Sequence, residues 1–425
     1  MRSVNSWLVL ASFAACCILV SSKSGYSKER SIPLLDATDS LHHQDFDLRD
    51  HVSAAISSRW QLEVRTLHGG MQEGVQLLQV DNGRLRISIV LNRGLSILGV
   101  EESLTGERVF GWDSPVEEIV NPMFIDLESR GGLGWLYGFN EWLVRCGLEF
   151  AGHPGTDLLR SNTGETKELD LTLHGRIGNI PASKVQVLID EDKPSYLRIR
   201  GVIEERMFYG PQLRLSSDLI LVAGKPSIQL EESIQNLSAS PQEYQIIYHT
   251  NFGTPILQRG SRVVPAAKSV TPMNDHAARS VDRFDLYDAP TIGFTEEVYL
   301  VEPWVDEDGM TGAVLHNEAG NCGAMMTWSA ETLPYLTIWK NTAGIEDGYV
   351  TGIEPGSGYP FNRRIERHFG RVPILQAKET RIFRLNYTYL DSSSSVKTAI
   401  SRINKIQMDR PRELHHSPPE LPKFE

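Results

Sequence analysis

Three polar residues on strand-like segments are the side chains of this sequence best suited to proton transfer. His174 follows an alternating segment, His249 stands before a short loop, and Glu354 precedes a Pro-Gly turn. An imidazole can donate a proton near neutral pH, and a carboxylate can accept one. If a β-scaffold brings the three together, they can move protons on and off a sugar hemiacetal. No nucleotide-binding loop, metal cluster or nucleophile elbow in the sequence competes with this set.

The elements that position these residues are strands. Alternation of apolar and polar residues, typical of strands buried on one face, runs through residues 85–91, 169–174, 184–189, 196–202, 213–222, 227–230 and 381–385. Helical patterns are confined to residues 115–127 and 395–406. Many strands and few helices predict an all-β fold built as one large antiparallel sandwich. A barrel or two smaller sandwiches would give the same periodicity.

The first 22 residues predict an export signal. Arg2 supplies a positive charge, residues 7–20 form an apolar run, and small residues precede a cleavage point near Ser22. The run is short for a transmembrane helix. We therefore predict a signal peptide over residues 1–22 and export to the periplasm or the extracellular space. A lipoprotein anchored through Cys16 and an uncleaved amino-terminal anchor are the alternatives.

Composition divides the rest of the chain into three parts. Residues 23–58 are polar and predict a leader packed loosely on the domain, residues 59–395 carry the strand pattern, and residues 396–425 form a carboxy-terminal tail. Cys146 and Cys322 are the cysteines beyond the signal, and we expect them to be unbridged. No close cysteine–histidine spacing indicates zinc, so we expect neither a metal nor a cofactor.

Charge restricts the partner of this protein. Fifty-four acidic residues against 42 basic ones give the 425-residue chain a formal charge of −12, which argues against nucleic acid as the main partner. The charges are interspersed, without a basic run that would favour a membrane surface. A neutral or weakly charged small molecule is therefore favoured, and the sequence does not indicate an oligomeric state.

Five segments in this order resemble the aldose 1-epimerase (galactose mutarotase-like) superfamily, and most closely its bacterial branch known as a domain of unknown function. They are residues 132–139, 143–148, 173–182, 248–253 and 352–356. The resemblance implies a many-stranded β-supersandwich with a sugar cleft on one sheet and a carbohydrate as the partner.

The resemblance also implies roles for the three central residues. Glu354 would be the base that removes the anomeric proton, His249 the acid that protonates the ring oxygen, and His174 a residue that binds or protonates the ring. The exchange rate would then show an acidic limb from Glu354 and a basic limb from His249. The alternatives are structural histidines and a rim carboxylate paired with Arg363, Arg364 or Arg367.

The remaining candidates are substrate-binding residues. Arg145 stands where the resemblance implies an arginine that holds sugar hydroxyls, with a buried pair to Glu141 or Glu149 as the alternative. Trp339 is a candidate platform for the C–H face of a pyranose. Lys340 could contact hydroxyls or an anionic substituent, and Asn251 is a further candidate substrate contact two residues after His249.

The sequence does not assign a role in sugar binding to two tryptophans and one acidic residue. Trp135 and Trp142 are weaker candidates for a sugar platform, because aromatic residues more often belong to the core. The resemblance implies an acidic residue between the second histidine and the base that holds a hydroxyl. Residues 306–308 are all acidic, but no local pattern selects one of them.

The leading hypothesis is a metal-free aldose 1-epimerase that opens the sugar ring, lets the C1–C2 bond rotate and closes the ring on the other face. One alternative is a carbohydrate-binding protein without turnover on the same sandwich. Another is different carbohydrate chemistry in the same cleft, such as epimerisation elsewhere on the ring or lyase action on an oxidised sugar.

Overall fold

The computed structural model describes residues 29–424, so the predicted signal peptide and Cys16 lie outside the described part of the chain. The strands, numbered in chain order, are β1 Glu29–Asp36, β2 Leu41–His42, β3 Phe46–Asp47, β4 Gln61–Thr66, β5 Gln76–Asp81, β6 Leu85–Val90, β7 Ser96–Glu102, β8 Arg108–Phe110, β9 Leu143–Leu148, β10 Gly155–Arg160, β11 Thr166–Leu171, β12 Lys184–Asp190, β13 Tyr196–Arg206, β14 Gln212–Val222, β15 Ser227–Asn236, β16 Gln242–Glu243, β17 Gln245–Phe252, β18 Arg262–Pro265, β19 Ala267–Pro272, β20 Glu297–Pro303, β21 Met310–His316, β22 Gly323–Ser329, β23 Tyr335–Asn341, β24 Val350–Gly356, β25 Ile374–Leu375, β26 Thr380–Leu390 and β27 Glu413–Leu414.

The α-helices are short, apart from the last one: α1 Ala54–Ser57, α2 Ser129–Gly132, α3 Asp275–Ala278, α4 Arg363–His368 and α5 Ser393–Gln407. No helix within residues 29–424 is long and apolar enough to cross a membrane.

Two large sheets contain most of the strands. The first sheet has ten strands in the order β18-β21-β22-β26-β15-β14-β13-β12-β1-β2. The second follows the order β27-β19-β20-β23-β24-β17-β9-β7-β6-β5-β4-β3, with β8 paired to β7. Neighbouring strands are antiparallel, except for β19 and β27, which run parallel. Strands β10 and β11 pair separately, as do β16 and β25.

A single apolar core lies between the two sheets. One contiguous cluster joins Leu215 and Leu230 of the first sheet to Leu78 and Ile338 of the second. Alternation puts every second residue of a strand into this core, where burial of apolar surface stabilises the fold. The prediction of one large antiparallel sandwich with few short helices is confirmed, and two smaller sandwiches are excluded by the shared core.

The structure corrects the predicted boundaries of the domain. Residues 29–58 are not a loose leader, because β1 pairs with β12 and buries Ile32 and Leu34. Residues 396–425 are not a simple tail, because α5 packs Val396 and Ile403 against the outer face of the first sheet. The helix predicted at 395–406 is therefore present as α5, with a capping box at Ser392.

The prediction of a helix over residues 115–127 is wrong. This stretch contains only one 3₁₀ turn, Pro122–Phe124, which Asn121 caps by accepting a hydrogen bond from the Met123 amide. Ile125 already returns to extended geometry, so the helix does not continue. The segment instead leads into the turns at residues 129–138, which cover part of the second sheet.

Candidate functional site

Alternation along β17 and β24 brings the two residues predicted to be catalytic onto the outer face of the second sheet. Tyr248 belongs to the core between the sheets, so its neighbour His249 points to the opposite face. The register pairs Ile247 with Gly356 and Asn251 with Gly352, which sets His249 opposite Glu354 on the adjacent strand. The His249 Nε2 atom lies 3.3 Å from Glu354 Oε1.

The pair lies in a cleft of about 500 Å³. Aromatic and aliphatic side chains form most of its wall, and a few polar groups converge on it, as in most small-molecule sites. The lining residues are Leu133, Trp135, Leu136, Phe139, His153, Pro154, Leu173, His174, His249, Glu296, Val298, Thr337, Trp339, Glu354 and Pro360. Within residues 29–424, no group of His, Cys, Asp and Glu is arranged to hold a metal ion.

His174 reaches this cleft from the loop after β11. Its backbone has a φ of +59°, which is uncommon for a residue other than glycine, and its amide donates to the Gly152 carbonyl at 2.9 Å. Nδ1 lies 3.0 Å from the Ala151 carbonyl oxygen. Because a carbonyl only accepts, Nδ1 carries the proton and Nε2 is free to accept from a hydroxyl. Burial lowers the pKa of His174 well below its ordinary value, which keeps the ring neutral.

Burial also determines the protonation of the central pair. It raises the pKa of Glu354 well above the ordinary value and lowers the pKa of His249 to about 4. Both Glu354 and His249 are therefore favoured in their neutral forms, and the proton that the pair can exchange is held by the Glu354 carboxyl group. The Glu354 carboxyl group is favoured as the neutral acid in the free protein, because taking its negative charge out of water is costly.

Gly352 makes room for the Glu354 side chain. A Cβ atom at position 352 would lie 2.1 Å from Glu354 Oε1, because the side chain folds back over the glycine. The contacted atom is the end of a flexible side chain, so the carboxyl group can move while the strand stays in place. A glycine two residues before the base is a local signal that the sequence analysis missed.

We therefore expect Gly352→Ala to displace the Glu354 carboxyl group from His249 without unfolding the protein. Any activity that needs the pair should fall by at least about tenfold, because small misplacements of reacting groups are costly. Thermal unfolding and activity measured together test this. The control is Gly99→Ala on β7, where the added methyl group would meet only an ordinary contact at 3.4 Å. Equal losses in both variants would contradict the steric explanation.

Trp339 lines the cleft together with an acidic residue that was not predicted. Trp339 Nε1 donates to Glu296 Oε2 at 2.8 Å, and Glu296 is exposed at the wall of the cleft. Residues 306–308 lie in the turn between β20 and β21 and do not line the cleft. Glu296 stands just before β20, where alternation turns the next residue, Glu297, towards the core. No sequence pattern separates these two neighbours.

Three predicted substrate contacts do not line the cleft. The first, Arg145, lies on the core face of β9, where it pairs with Glu232 at 2.5 Å and donates to the Leu95 carbonyl at 2.8 Å. Its predicted acidic partners are also wrong, because Glu141 pairs with Arg93 at 2.6 Å and Glu149 is near Arg363.

Lys340 and Asn251 are the other two. Lys340 is buried on the core face of β23, 3.3 Å from Glu297 and 2.9 Å from the Leu286 carbonyl oxygen. Asn251 is fully buried beside His249 and contacts that imidazole instead of the cleft. The strand turns Arg145 and Lys340 towards the core, whereas Asn251 shares the outer face with His249 but is covered there by the segment around Glu141.

Removing the Arg145 side chain is expected to destabilise the protein. Arg145→Met would leave the Glu232 carboxylate buried without its counter-ion, which costs about 3–5 kcal/mol of unfolding free energy. Denaturant unfolding measures this. Arg384→Met is the control, because its pair with Glu231, the residue beside Glu232, is about half exposed and contributes about 0–1 kcal/mol. A stable Arg145→Met variant with weakened sugar binding would instead support the original substrate role.

The three arginines that could have neutralised Glu354 have partners elsewhere. Arg363 and Arg367 both pair with Asp157. The Arg364 guanidinium lies 4.1 Å above the Phe424 ring. Glu354 is therefore not a rim carboxylate held by any of these arginines.

The two tryptophans and the two cysteines also have clear positions. Trp135 lines the cleft, whereas Trp142 is stacked on Phe110 in the main core. Trp135 thus stays a candidate for contact with a sugar, and Trp142 is a core residue. Cys146 and Cys322 are free thiols.

The fold and the site together define the structural class of this protein. Two large sheets that share one core, with a histidine–glutamate pair in an outer cleft, are an all-β sandwich of the galactose mutarotase-like type. The chain belongs to the family described as a domain of unknown function, DUF4432, which matches residues 72–389. None of the curated proteins matches this sequence.

Solved structures resemble the chain to different degrees. A protein of Klebsiella pneumoniae, provisionally assigned as an aldose 1-epimerase, is 38% identical, with a TM-score of 0.84 over 92% of this chain and 99% of that one. A galactose mutarotase-like protein of Clostridium acetobutylicum is 16% identical, with a TM-score of 0.54 over 79% of this chain and 99% of that one. The second likeness concerns the fold alone.

Proposed function

We propose that this protein is an aldose 1-epimerase that interconverts the anomers of a neutral aldose. The observation that carries the proposal is the His249–Glu354 pair, held 3.3 Å apart on adjacent strands at a cleft. An intact, closely spaced pair is what proton transfer needs and what simple sugar binding does not need. The provisional assignment of the Klebsiella pneumoniae relative supports the same function.

The reaction follows from the single proton that the pair holds. When a sugar binds, this proton moves from Glu354 to His249 Nε2, which gives a carboxylate and an imidazolium. The carboxylate then takes the proton of the anomeric hydroxyl group while Nε2–H protonates the ring oxygen. The bond from C1 to the ring oxygen breaks and the C1 aldehyde forms. After rotation about C1–C2, the reverse transfers close the ring on the other face.

Other residues of the cleft would bind the substrate. His174 Nε2 can accept from a hydroxyl group, and the Glu296 carboxylate can accept from another. Trp339 offers an aromatic face for the C–H side of the ring. These assignments rest on the position of each residue in the cleft wall.

The charge of the cleft favours a neutral sugar. In the part of the chain that the structure describes, no lysine or arginine lines the cleft, whereas Glu296 and Glu354 do. A phosphate or uronate group would lose its hydration without gaining a counter-ion. We therefore expect neutral aldoses to react at least about tenfold faster than the corresponding 6-phosphates or uronates.

Exchange NMR of the purified protein against a panel of aldoses tests the proposed function. Accelerated exchange between the two anomeric signals of a neutral aldose would support the proposal. Sugar binding without exchange above the buffer rate at any pH would favour a carbohydrate-binding protein. A product other than the second anomer would favour different carbohydrate chemistry in the same cleft.

We also propose that the protein is exported, on the basis of its first 22 residues. The mass of the mature protein recovered from its native cells should correspond to a chain that begins near residue 23. A soluble, full-length protein in the cytoplasm would contradict this.

A further inference from the structure

Asn251 lies behind His249 and has a clear hydrogen-bonding orientation. The Asn251 Nδ2 group donates to the Glu141 carbonyl oxygen at 3.0 Å, so the amide oxygen Oδ1 faces the other way, towards His249. Oδ1 lies 2.7 Å from His249 Nδ1. Since an amide oxygen only accepts, the proton between the two atoms belongs to Nδ1. Asn251 is 0% exposed, so water does not compete for this contact.

The frame around Asn251 is rigid. The backbone N–H of Asn251 donates to the Trp142 carbonyl oxygen at 2.6 Å. The Trp112 indole donates at 3.1 Å to the Glu141 carbonyl oxygen that also accepts from the Asn251 side chain. The Glu141 side chain is held by its fully buried pair with Arg93. The Glu141 carbonyl that orients Asn251 is therefore fixed by its own surroundings. The Asn251 side-chain amide cannot reverse without losing its hydrogen bonds to Glu141 and to His249.

We infer that Asn251 is a positioning residue that holds His249 as the Nδ1–H tautomer, so that only Nε2 exchanges a proton with Glu354 and the sugar. A His249 ring with its proton on Nε2 would face the protonated carboxyl group with a donor and could not take up its proton, so no carboxylate would form to remove the anomeric proton. With the proton fixed on Nδ1, Nε2 receives the Glu354 proton. The resulting imidazolium keeps its hydrogen bond to Asn251 Oδ1 while Nε2–H faces the substrate.

Several titratable and charged groups surround His249 and contribute to its protonation. Glu354 faces Nε2 across the strand pair, His174 lies with its ring centre 5.2 Å away, and Glu296 stands further along the cleft wall. Arg93 and Glu141 lie behind Asn251, and the Cys146 thiol and His153 are also in the neighbourhood. Asn251 is the residue whose hydrogen bond with Nδ1 distinguishes one tautomer from the other.

Nitrogen NMR of histidine-labelled protein tests the tautomer directly. In the unliganded protein between about pH 5 and 8, we expect His249 to be protonated on Nδ1 and unprotonated on Nε2. In Asn251→Leu, His249 should shift towards the Nε2–H form. His174 is the internal control, because the Ala151 carbonyl fixes its Nδ1 proton independently. An Nε2–H signal from wild-type His249 would overturn the inference, even if the variant does not fold.

The pH profile separates positioning from a purely structural role. Asn251→Asp places a negative charge beside Nδ1, so both limbs of the exchange profile should move up by about 1–3 pH units. Asn251→Leu should lower the maximal rate at least about tenfold, as expected for a misplaced imidazole proton. Rates that fall in both variants with unmoved limbs would overturn the inference.

The effect on turnover rests on the proposed function, but the tautomer does not. If wild-type His249 is the Nδ1–H tautomer and no aldose is interconverted, the proposed function fails while the role of Asn251 stands. If anomers are interconverted and His249 is protonated on Nε2, the proposed function stands and the role of Asn251 fails.

Discussion

Glu354→Gln is expected to slow anomer exchange by about 10²–10⁴-fold while leaving sugar binding and the fold intact. The amide has nearly the shape of the carboxyl group, so the packing over Gly352 is preserved. It cannot take up the anomeric proton, which is the step that the carboxylate performs. Exchange NMR and a binding isotherm with the same aldose measure the two properties separately.

A matched control for this variant is Glu302→Gln. Glu302 lies on β20 of the same sheet, but its carboxylate is about half exposed and pairs with Lys268 outside the cleft. This substitution should leave the exchange rate unchanged. If Glu354→Gln exchanges anomers at the wild-type rate, Glu354 has no part in the mechanism and the proposed assignment of the pair is lost.

The second large effect concerns the pH dependence, where the structure reverses the order expected from the sequence. The active pair holds one proton. Below about pH 4, where the His249 pKa lies, the pair gains a second proton and has no group left to accept one. Above the raised pKa of Glu354, the pair has no proton to donate to the ring oxygen. The exchange rate should therefore rise through about pH 4 and fall at high pH, with limbs that belong to the coupled pair.

His249→Asn should lower the exchange rate by about 10²–10⁴-fold and remove the fall at high pH. Without the imidazole, the remaining catalyst is Glu354 alone, which works only when it is ionised, so the residual rate should increase as the pH rises through its pKa. The variant and the wild type are thus expected to respond to alkali in opposite directions.

The control is His415→Asn, because this histidine is partly exposed and remote from the cleft lining. It should keep the wild-type profile. Exchange NMR across the pH range on the wild type, His249→Asn and His415→Asn measures the three profiles. A His249→Asn profile that still falls at high pH would mean that another group supplies the proton to the ring oxygen.

Much of the fold could be predicted because the first sheet alternates visibly. Strands such as β13 and β15 bury every second residue and leave the others partly in water, so their apolar and polar residues take turns along the sequence. The amphipathic helix α5 was predictable for the same reason, since it buries only one side. The extension of the domain to β1 and β27 was missed because β27 has only two residues and β1 alternates in burial over only its second half.

The sequence by itself determined that the chain forms an all-β sandwich of the mutarotase-like type and that His174, His249, Glu354 and Trp339 are candidates for one site. Only the tertiary structure decided which other residues join them. Strands β9, β17 and β24 are buried on both faces, because the turns at residues 129–138 and their neighbours cover the outer side.

A strand buried on both faces shows no alternation of apolar and polar residues, so its sequence does not reveal which side a given residue occupies. The resemblance placed Arg145 at the substrate, and no local pattern contradicted it, although its partner, Glu232, belongs to the opposite sheet. Glu296 was missed because it joins the cleft through the position of β20 beside β23. The protonation of the pair depends on burial, which is a property of the assembled sandwich and not of any local pattern.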